Sequence, residues 1–400
     1  MSLLPVEEAQ RRLLALAGPL SVEQAVLDEA SGRWLAEPLN ARRDQPWTAL
    51  SAMDGYAVRW ADMPGPWTLA GAIQAGALPP SAPLAAGTAM RIFTGAPMPA
   101  GADTVVVQED VEAEGGAVRL SGDGPPEEGR HVRPQGGDFS AGAPLLPSGA
   151  QLGPARLALA ALAGHGTLPV HARPRIAIIS TGDELTAPGA PCPPGKLPAS
   201  NGVMLRAMAA NAGALMTSEC LVADDLQAIT AAFADARDAD IIVTSGGASV
   251  GDHDLVRPAL EAAGGTIDFW RIAMRPGKPL IVGRLGKAIV LGLPGNPVSA
   301  MVTGALFLLP LIRHLAGAPD PLPKSRLLPL GADMPPVGKR AEFVRANICD
   351  GVATPVNFQD SAAMHAAALA DALIYRPIEA PAALKGELVQ IFEWTALGLA

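Results

Sequence analysis

The sequence predicts an α/β chain of several domains: a central, mostly parallel sheet domain, a β module inserted on its N-terminal side, and a second β module at its C-terminal end. Three observations predict it. From Arg175 to about residue 318, apolar runs of strand length alternate with helical stretches, the pattern of a parallel sheet covered on both faces. From about 45 to 145 the texture changes to short β-rich runs between Gly/Pro turns. After Gly317 a segment rich in Pro and Leu leads into short strand patterns again. The expected boundaries are 1–44 with 146–172 for a helical and linking part, 45–145 for the inserted module, 173–318 for the α/β domain and 319–400 for the last module.

Taken in order, residues 1 to about 40 read as helical, with Ser21 and Gln24 as a capping box before Ala25-Val26-Leu27. Residues 104–108 and 117–120 read as strands, 153–163 as a helix, and His171-Ala172-Arg173-Pro174 as a linker. The strand at 176–179 is followed by a helix over 202–212 that Gly213 ends. A strand at 215–222 leads to a helix from 226 to about 237, for which Asp224 is a good cap with Gln227 three residues on. Next come a strand at 240–244, a helix over 254–263 closed by Gly264-Gly265, and strand-like runs through 289–291. A long helix over about 298–315 follows, and the runs 343–348 and 387–391 are the strands of the last module. No internal repeat is visible.

With 49% hydrophobic and 17% charged residues, the chain reads as globular rather than disordered. Its 43 glycines and 39 prolines, about a fifth of 400 residues, predict many ordered turns. A net charge of −9 without a basic stripe argues against nucleic acid, while local cations still permit a small anionic substrate. Cys192, Cys220 and Cys349 are odd in number and never paired as Cys-x-x-Cys, which disfavours a disulfide framework or a structural zinc site and fits a reducing compartment. Glu7, Glu8, Arg11 and Arg12 interrupt the N-terminal leucines, so this segment reads as an amphipathic helix, not a signal peptide. The apolar stretch 300–312 reads as too short to span a bilayer and contains Pro310. The expectation is a cytoplasmic protein with no membrane contact.

Four blocks concentrate the chemistry: Ser180-Thr181-Gly182-Asp183-Glu184, Thr244-Ser245-Gly246-Gly247-Ala248-Ser249-Val250-Gly251-Asp252, Pro276-Gly277-Lys278-Pro279 and Leu293-Pro294-Gly295-Asn296-Pro297. The first two follow predicted strands, and open α/β sheets bind ligands beyond the carboxyl ends of their strands. Asp183 and Glu184 are neighbours whose side chains need not converge. Magnesium needs only one or two carboxylates beside waters and substrate phosphates, and Asp224 and Asp254 near other strand ends complete such a set. Asp224 is equally explained as a helix cap, with Asp225 as the alternative. The glycine-rich loop from Gly246 to Gly251 presents backbone N–H groups to an anion. It lacks the Lys-Ser/Thr ending of a Walker A loop. Arg275 and Lys278 lie three positions apart on a backbone stiffened by prolines, a setting for an oxyanion. Pro294 and Pro297 read as shaping a cleft. The six histidines show no ligand spacing, and neither a Ser-His-Asp arrangement nor a nucleophilic cysteine is indicated.

With three further blocks, the chain resembles the MoeA family of molybdopterin molybdenumtransferases, related to the E domain of gephyrin. These blocks are Ser51-Ala52-Met53-Asp54-Gly55-Tyr56-Ala57-Val58, Phe93-Thr94-Gly95-Ala96-Pro97 with Pro99-Ala100-Gly101-Ala102-Asp103, and Val132-Arg133 through Gly137-Asp138. The resemblance implies a four-part, elongated homodimer whose third part is the molybdopterin-binding type of α/β domain. It implies insertion of molybdate into adenylylated molybdopterin with Mg²⁺, releasing AMP and giving molybdenum cofactor. Glu184, Asp224 and Asp254 fall where the family has functional acids, with Glu184 the first candidate for magnesium. Ser180, Thr181, Gly182, Ser245, Gly246, Gly247, Ser249 and Gly251 are expected to line the substrate. Arg271, Arg275, Lys278, Ser299, Arg345 and Ser361 are placed near the oxyanion, Arg271 and Arg275 standing where many relatives carry lysine. Asp54, Thr94, Arg133 and Asp138 are promoted from turn residues only by the resemblance, which has their module reach the partner subunit's cleft. It also implies transient contact with other cofactor-biosynthesis proteins and with recipient apo-enzymes.

No side-chain nucleophile is required for such a reaction; positioning and charge neutralisation carry it. The competing readings are the preceding adenylyl transfer, a dimeric scaffold of the gephyrin type, and a cofactor carrier without turnover. The flanking modules argue against the first.

Overall fold

The computed structural model describes residues 3–247 and 255–399, apart from the side chain of Trp270. The chain forms two compact units: 1–23 with 32–36 and 169–400, and 24–31 with 37–168.

The larger unit is built on a six-stranded sheet. Its spatial order is Leu215–Val222, Arg175–Thr181, Ile241–Ser245, Ala288–Leu293, Pro279–Leu285 and Thr266–Arg271. The first four strands run parallel; the last two add antiparallel pairs. The central strands Arg175–Thr181, Ile241–Ser245 and Ala288–Leu293 read as largely apolar runs because both faces are covered, whereas the outer strand Leu215–Val222 is mostly exposed. Ile176, Ile178, Ile241, Val243, Ile289 and Leu291 join one core with Leu205, Met208 and the 297–315 helix. Their sequence neighbours Ala177, Ile179, Ile242, Ala288 and Val290 point to the other face and pack with Ile229, Phe233, Val256 and Leu260. A second sheet orders Met274–Arg275, Ala341–Cys349, Ala372–Arg376, Leu388–Glu393 and Arg326–Pro329. Through it the segment carrying Arg275 lies in parallel register with Glu342.

The smaller unit holds the inserted module, a six-stranded sheet ordered Thr104–Val107, Gly55–Val58, Thr88–Ile92, Trp67–Ile73, Ala117–Leu120 and Val111–Glu114. Adjacent residues again serve opposite faces: Ala57 and Val105 pack with Ile73 and Ile92, while Val58 and Val106 pack with Trp67 and Val118.

Four local expectations are corrected. Residues 1–40 are not helical throughout. The helix Val6–Leu14 ends before Gly18-Pro19, and the capping-box residues Ser21 and Gln24 lead into and lie within the strand Val22–Val26, whose ends are β-branched. His171 belongs to the strand Thr167–His171 rather than to a linker. The helix Leu226–Asp235 is capped by Asp225, whose Oδ1 accepts the Ala228 N–H at 2.8 Å, not by Asp224. The apolar segment is a continuous 19-residue helix, Pro297–Leu315, long enough to cross a membrane by length and composition, and most of it is buried. It is a core helix by burial, not by shortness. A π turn at Gly304–Leu308 precedes Pro310, which has no N–H to donate into the regular ladder.

Candidate functional site

Four parallel strands end side by side, and their carboxyl ends open onto a cavity of about 730 Å³. Ser180 pairs with Ser245 across the sheet, and Ser245 with Leu293, so three of the sequence blocks arrive at one edge by register alone. The cavity brings together Ser180, Thr181, Glu184, Asp224, Ser245, Gly246, Gly247, Pro294 and Pro297, all expected from the sequence. Ser249, Gly251 and Asp254 lie outside the described residues.

The acidic side is organised by backbone bonds. The Asp224 N–H donates to Asp183 Oδ1 at 3.1 Å, and the Asp183 N–H donates to Asp224 Oδ2 at 3.4 Å, which locks the two strand ends together. With Asp225 serving as cap, Asp224 is left to the cavity wall. Glu184 folds back over Gly182, where a Cβ would stand 2.7 Å from Oε2, the movable end of the Glu184 side chain. Gly182 lies beside Thr181 and Glu184, both of which line the cavity. Lys196 Nζ donates to the Asp183 carbonyl oxygen at 2.5 Å, placing a cation beside the acidic pair.

On the opposite side Gly246 has φ +99, and a Cβ there would lie 2.2 Å from the Thr181 carbonyl oxygen. The close approach of these two strand ends therefore requires glycine. Asn201 Nδ2 donates to Ser245 Oγ at 2.8 Å and to the Gly295 carbonyl oxygen at 2.7 Å. Sequence reasoning missed Asn201, which sits in the first turn of the helix Ser200–Asn211. The available signal was a polar Ser-Asn pair directly after Pro198-Ala199 at a helix start. Ala362 and Met364 were missed too, because an apolar wall contributed by the C-terminal part of the chain carries no local motif.

The oxyanion set is not assembled here: Arg271, Arg275, Lys278, Ser299, Arg345 and Ser361 do not line this cavity. Arg275 is exposed and paired with Glu342 at 3.4 Å, and Lys278 is exposed. Ser299 is buried in the helix. Ser361 Oγ accepts the Asn296 amide at 2.9 Å. Arg345 is 2% exposed, and its guanidinium donates to the Phe358, Asp360 and Ala363 carbonyls and to Gln359 Oε1, because a sealed guanidinium must find acceptors.

Asp54, Thr94, Arg133 and Asp138 belong to the other unit. There Asp54 Oδ1 accepts the Thr94 N–H at 2.7 Å and the Thr94 hydroxyl at 2.8 Å, and these bonds hold its carboxyl below the usual aspartate range. Arg133 pairs with Leu50 in a short antiparallel ladder, and Asp138 is exposed in a loop.

Comparison with known proteins matches the whole architecture. The MoeA N-terminal region (domain I and II) matches residues 4–164, a probable molybdopterin binding domain matches 177–314, and the MoeA C-terminal region (domain IV) matches 328–394. Molybdopterin molybdenumtransferase 2 of Mycobacterium tuberculosis is 36% identical over 412 residues, spanning 98% of this chain and 99% of that protein. The chain belongs to the MoeA family of molybdopterin molybdenumtransferases. Membership makes it a transferase of molybdenum cofactor biosynthesis acting on molybdopterin and molybdenum substrates. The Bacillus subtilis molybdopterin molybdenumtransferase is 33% identical over 402 residues, covering 97% of this chain and 93% of its own. The crystal structure of the molybdopterin biosynthesis MoeA protein of Pyrococcus horikoshii superposes with a TM-score of 0.84 at 29% identity, covering 98% and 99% of the two chains. Apart from Ala362 and Met364, which fall in the C-terminal match, the residues lining the cavity lie in the part of this MoeA-family chain matched by the molybdopterin binding domain.

Proposed function

We propose that this cavity binds adenylylated molybdopterin, and that insertion of molybdate there is coupled to release of AMP. The observation that carries the reading is the two-sided wall: Glu184 and Asp224 on one edge, Gly246, Gly247 and Asn201 on the other, within one cavity of about 730 Å³. Backbone N–H groups at glycine-rich strand ends suit phosphate, and the carboxylates suit a cation bridging phosphates.

Glu184 and Asp224 would hold Mg²⁺. Among the described residues no group of three His, Cys, Asp or Glu side chains is placed to hold a metal, which fits an ion completed by substrate phosphates and water. Bound magnesium supplies charge neutralisation at the phosphates. The chain's own groups orient the substrate: Asn201 fixes the Ser245 and Gly295 ends, and Pro294 and Pro297 stiffen the turn between them. Arg271, Arg275, Lys278, Ser299, Arg345 and Ser361 are the proposed molybdate side, on the strength of the family resemblance. Asp54, Thr94, Arg133 and Asp138 are proposed to act in a homodimer, on the strength of the family resemblance. Three free cysteines fit a reducing cytoplasm.

The test is AMP release by the purified protein from adenylylated molybdopterin with Mg²⁺, with and without molybdate. Release that depends on molybdate and on Mg²⁺, and that drops in Glu184→Ala, is expected. A folded protein that binds the substrate but releases no AMP refutes the transfer reading and leaves a carrier.

A further inference from the structure

Arg91 closes a small cluster on one face of the inserted module's sheet. Antiparallel register sets Tyr56 directly opposite Arg91, and Phe93, two residues further along, returns to the same side. The guanidinium carbon of Arg91 lies 5.0 Å from the centroid of each ring. Two aromatic rings on one cation suit a guanidinium by shape as well as by charge. Its N–H groups are engaged as well: Nη1 donates to the Gly55 carbonyl at 3.2 Å and Nη2 to Gln108 Oε1 at 2.5 Å.

These contacts converge on Asp54 and Thr94. Gly55 follows Asp54 in the chain, and Phe93 precedes Thr94. Gln108 donates its backbone N–H to the Asp54 carbonyl at 3.1 Å. Asp54 Oδ1 in turn accepts the Thr94 N–H at 2.7 Å and the Thr94 hydroxyl at 2.8 Å, which requires two segments 40 residues apart to be held together. Arg91 touches both segments, on the residue next to each partner. Gly55 leaves little slack: a Cβ there would stand 2.0 Å from the Val106 carbonyl oxygen, so the strand that follows Asp54 is fixed against Thr104–Val107.

We propose that Arg91 is a positioning residue: by bracing Gly55, Phe93 and Gln108 together it holds the Asp54–Thr94 pair in the geometry that the transfer reaction uses. The inference rests on the reading of Asp54 as a group that acts in that reaction. The hydrogen bonds of Arg91 go to a neighbour of Asp54 and to Gln108 rather than to the carboxylate, so it acts through them. A lysine would keep the charge but not the planar fork that reaches Gly55 and Gln108 at once while lying between two rings.

Full-length Arg91→Lys and Gln108→Ala are compared with the unaltered protein in a carboxyl-carbon NMR titration of Asp54 and in steady-state AMP release. Gln108 is exposed, so its truncation spares the core and decides the matter if Arg91→Lys fails to fold. In both variants the Asp54 pKa is expected to rise toward the ordinary aspartate value as its bonds to Thr94 loosen. In both, kcat is expected to fall roughly tenfold or more, the scale on which misplaced groups act, with KM for adenylylated molybdopterin and for molybdate unchanged. Because lysine keeps the charge, a rise in Arg91→Lys reports geometry rather than lost electrostatics. An Asp54 pKa and a kcat that stay put in both variants overturn the proposal and leave the stack a brace of the sheet alone. A moved pKa with unaltered kcat overturns it too. A raised KM with the Asp54 pKa unmoved makes Arg91 a ligand of the substrate instead. Full AMP release by Asp54→Asn sinks the reading of Asp54 itself, and the titration then shows separately whether Arg91 holds the pair.

Discussion

Asn201 donates its side-chain amide to the Gly295 carbonyl at 2.7 Å and, through the same nitrogen, to Ser245 Oγ at 2.8 Å. One residue at a helix start therefore ties together the ends of two neighbouring parallel strands, which are the two ends that frame the cavity. Asn201→Ala removes both bonds and leaves the Gly295 carbonyl and the Ser245 hydroxyl without them, at a cost of about 1–3 kcal/mol. The expected outcome in urea unfolding is a lowered midpoint, accompanied by a raised KM for adenylylated molybdopterin. A destabilised variant with unaltered KM would show that the bridge supports the fold and not the site.

Asp224 and Asp225 are adjacent and do different work. Asp225 caps the helix Leu226–Asp235, so Asp225→Ala should lower stability by about 1 kcal/mol and leave AMP release nearly unchanged. Asp224→Ala should weaken Mg²⁺ dependence and turnover, and because it removes only the long 3.4 Å acceptor of the Asp183 N–H it should lower the unfolding midpoint less than Asp225→Ala does. Swapped phenotypes would move the metal role to Asp225.

The difference between those two carboxylates shows where sequence reading stops. Either fits the position before the helix, and only the reciprocal bonds between Asp183 and Asp224 decide which one is left facing the cavity. The central sheet was legible because strands buried on both faces are written as unbroken apolar runs ended by glycine. The segment 21–27 was misread because a polar residue three positions after a serine mimics a cap, while Val22 and Val26 are a weaker strand signal over five residues. What Arg345 touches was illegible for a different reason. A cationic side chain looks the same in sequence whether it faces an anion or a ring of carbonyls, and those carbonyls lie 13 to 18 residues further along the chain. Asn201 and Met364 reach the cavity through tertiary packing alone.

Gly246 tests the close approach of the strand ends directly. With φ +99 and a would-be Cβ 2.2 Å from the Thr181 carbonyl oxygen, Gly246→Ala must both strain the backbone and push the strand ends apart. The expected loss is at least about 1–3 kcal/mol in denaturant unfolding, together with loss of substrate binding measured by calorimetry. Unchanged stability and binding would mean that the loop does not hold the approach that this geometry requires.

Asp54 provides a pH prediction. The Thr94 N–H is the main cause holding its carboxyl below the ordinary aspartate value near 3.8, the Thr94 hydroxyl is the second, and the Arg91 guanidinium adds to them. Arg91 is itself held between the Tyr56 and Phe93 rings, 5.0 Å from each centroid. A carboxyl depressed on folding keeps its favourable bonds at all pH values above its unfolded pKa and loses them as pH falls through the lower, folded value. Asp54 therefore stays ionised and paired with Thr94 throughout the neutral range, and it adds no pH dependence to activity there. Thr94→Val keeps the backbone N–H but deletes the hydroxyl, so the Asp54 pKa should rise part of the way toward 3.8 in a carboxyl-carbon NMR titration. Asp54→Asn, which keeps the shape and removes the charge, should reduce AMP release equally at every pH tested. An Asp54 titrating at or above the ordinary aspartate value, or one indifferent to Thr94→Val, would remove the pair from the account of this module.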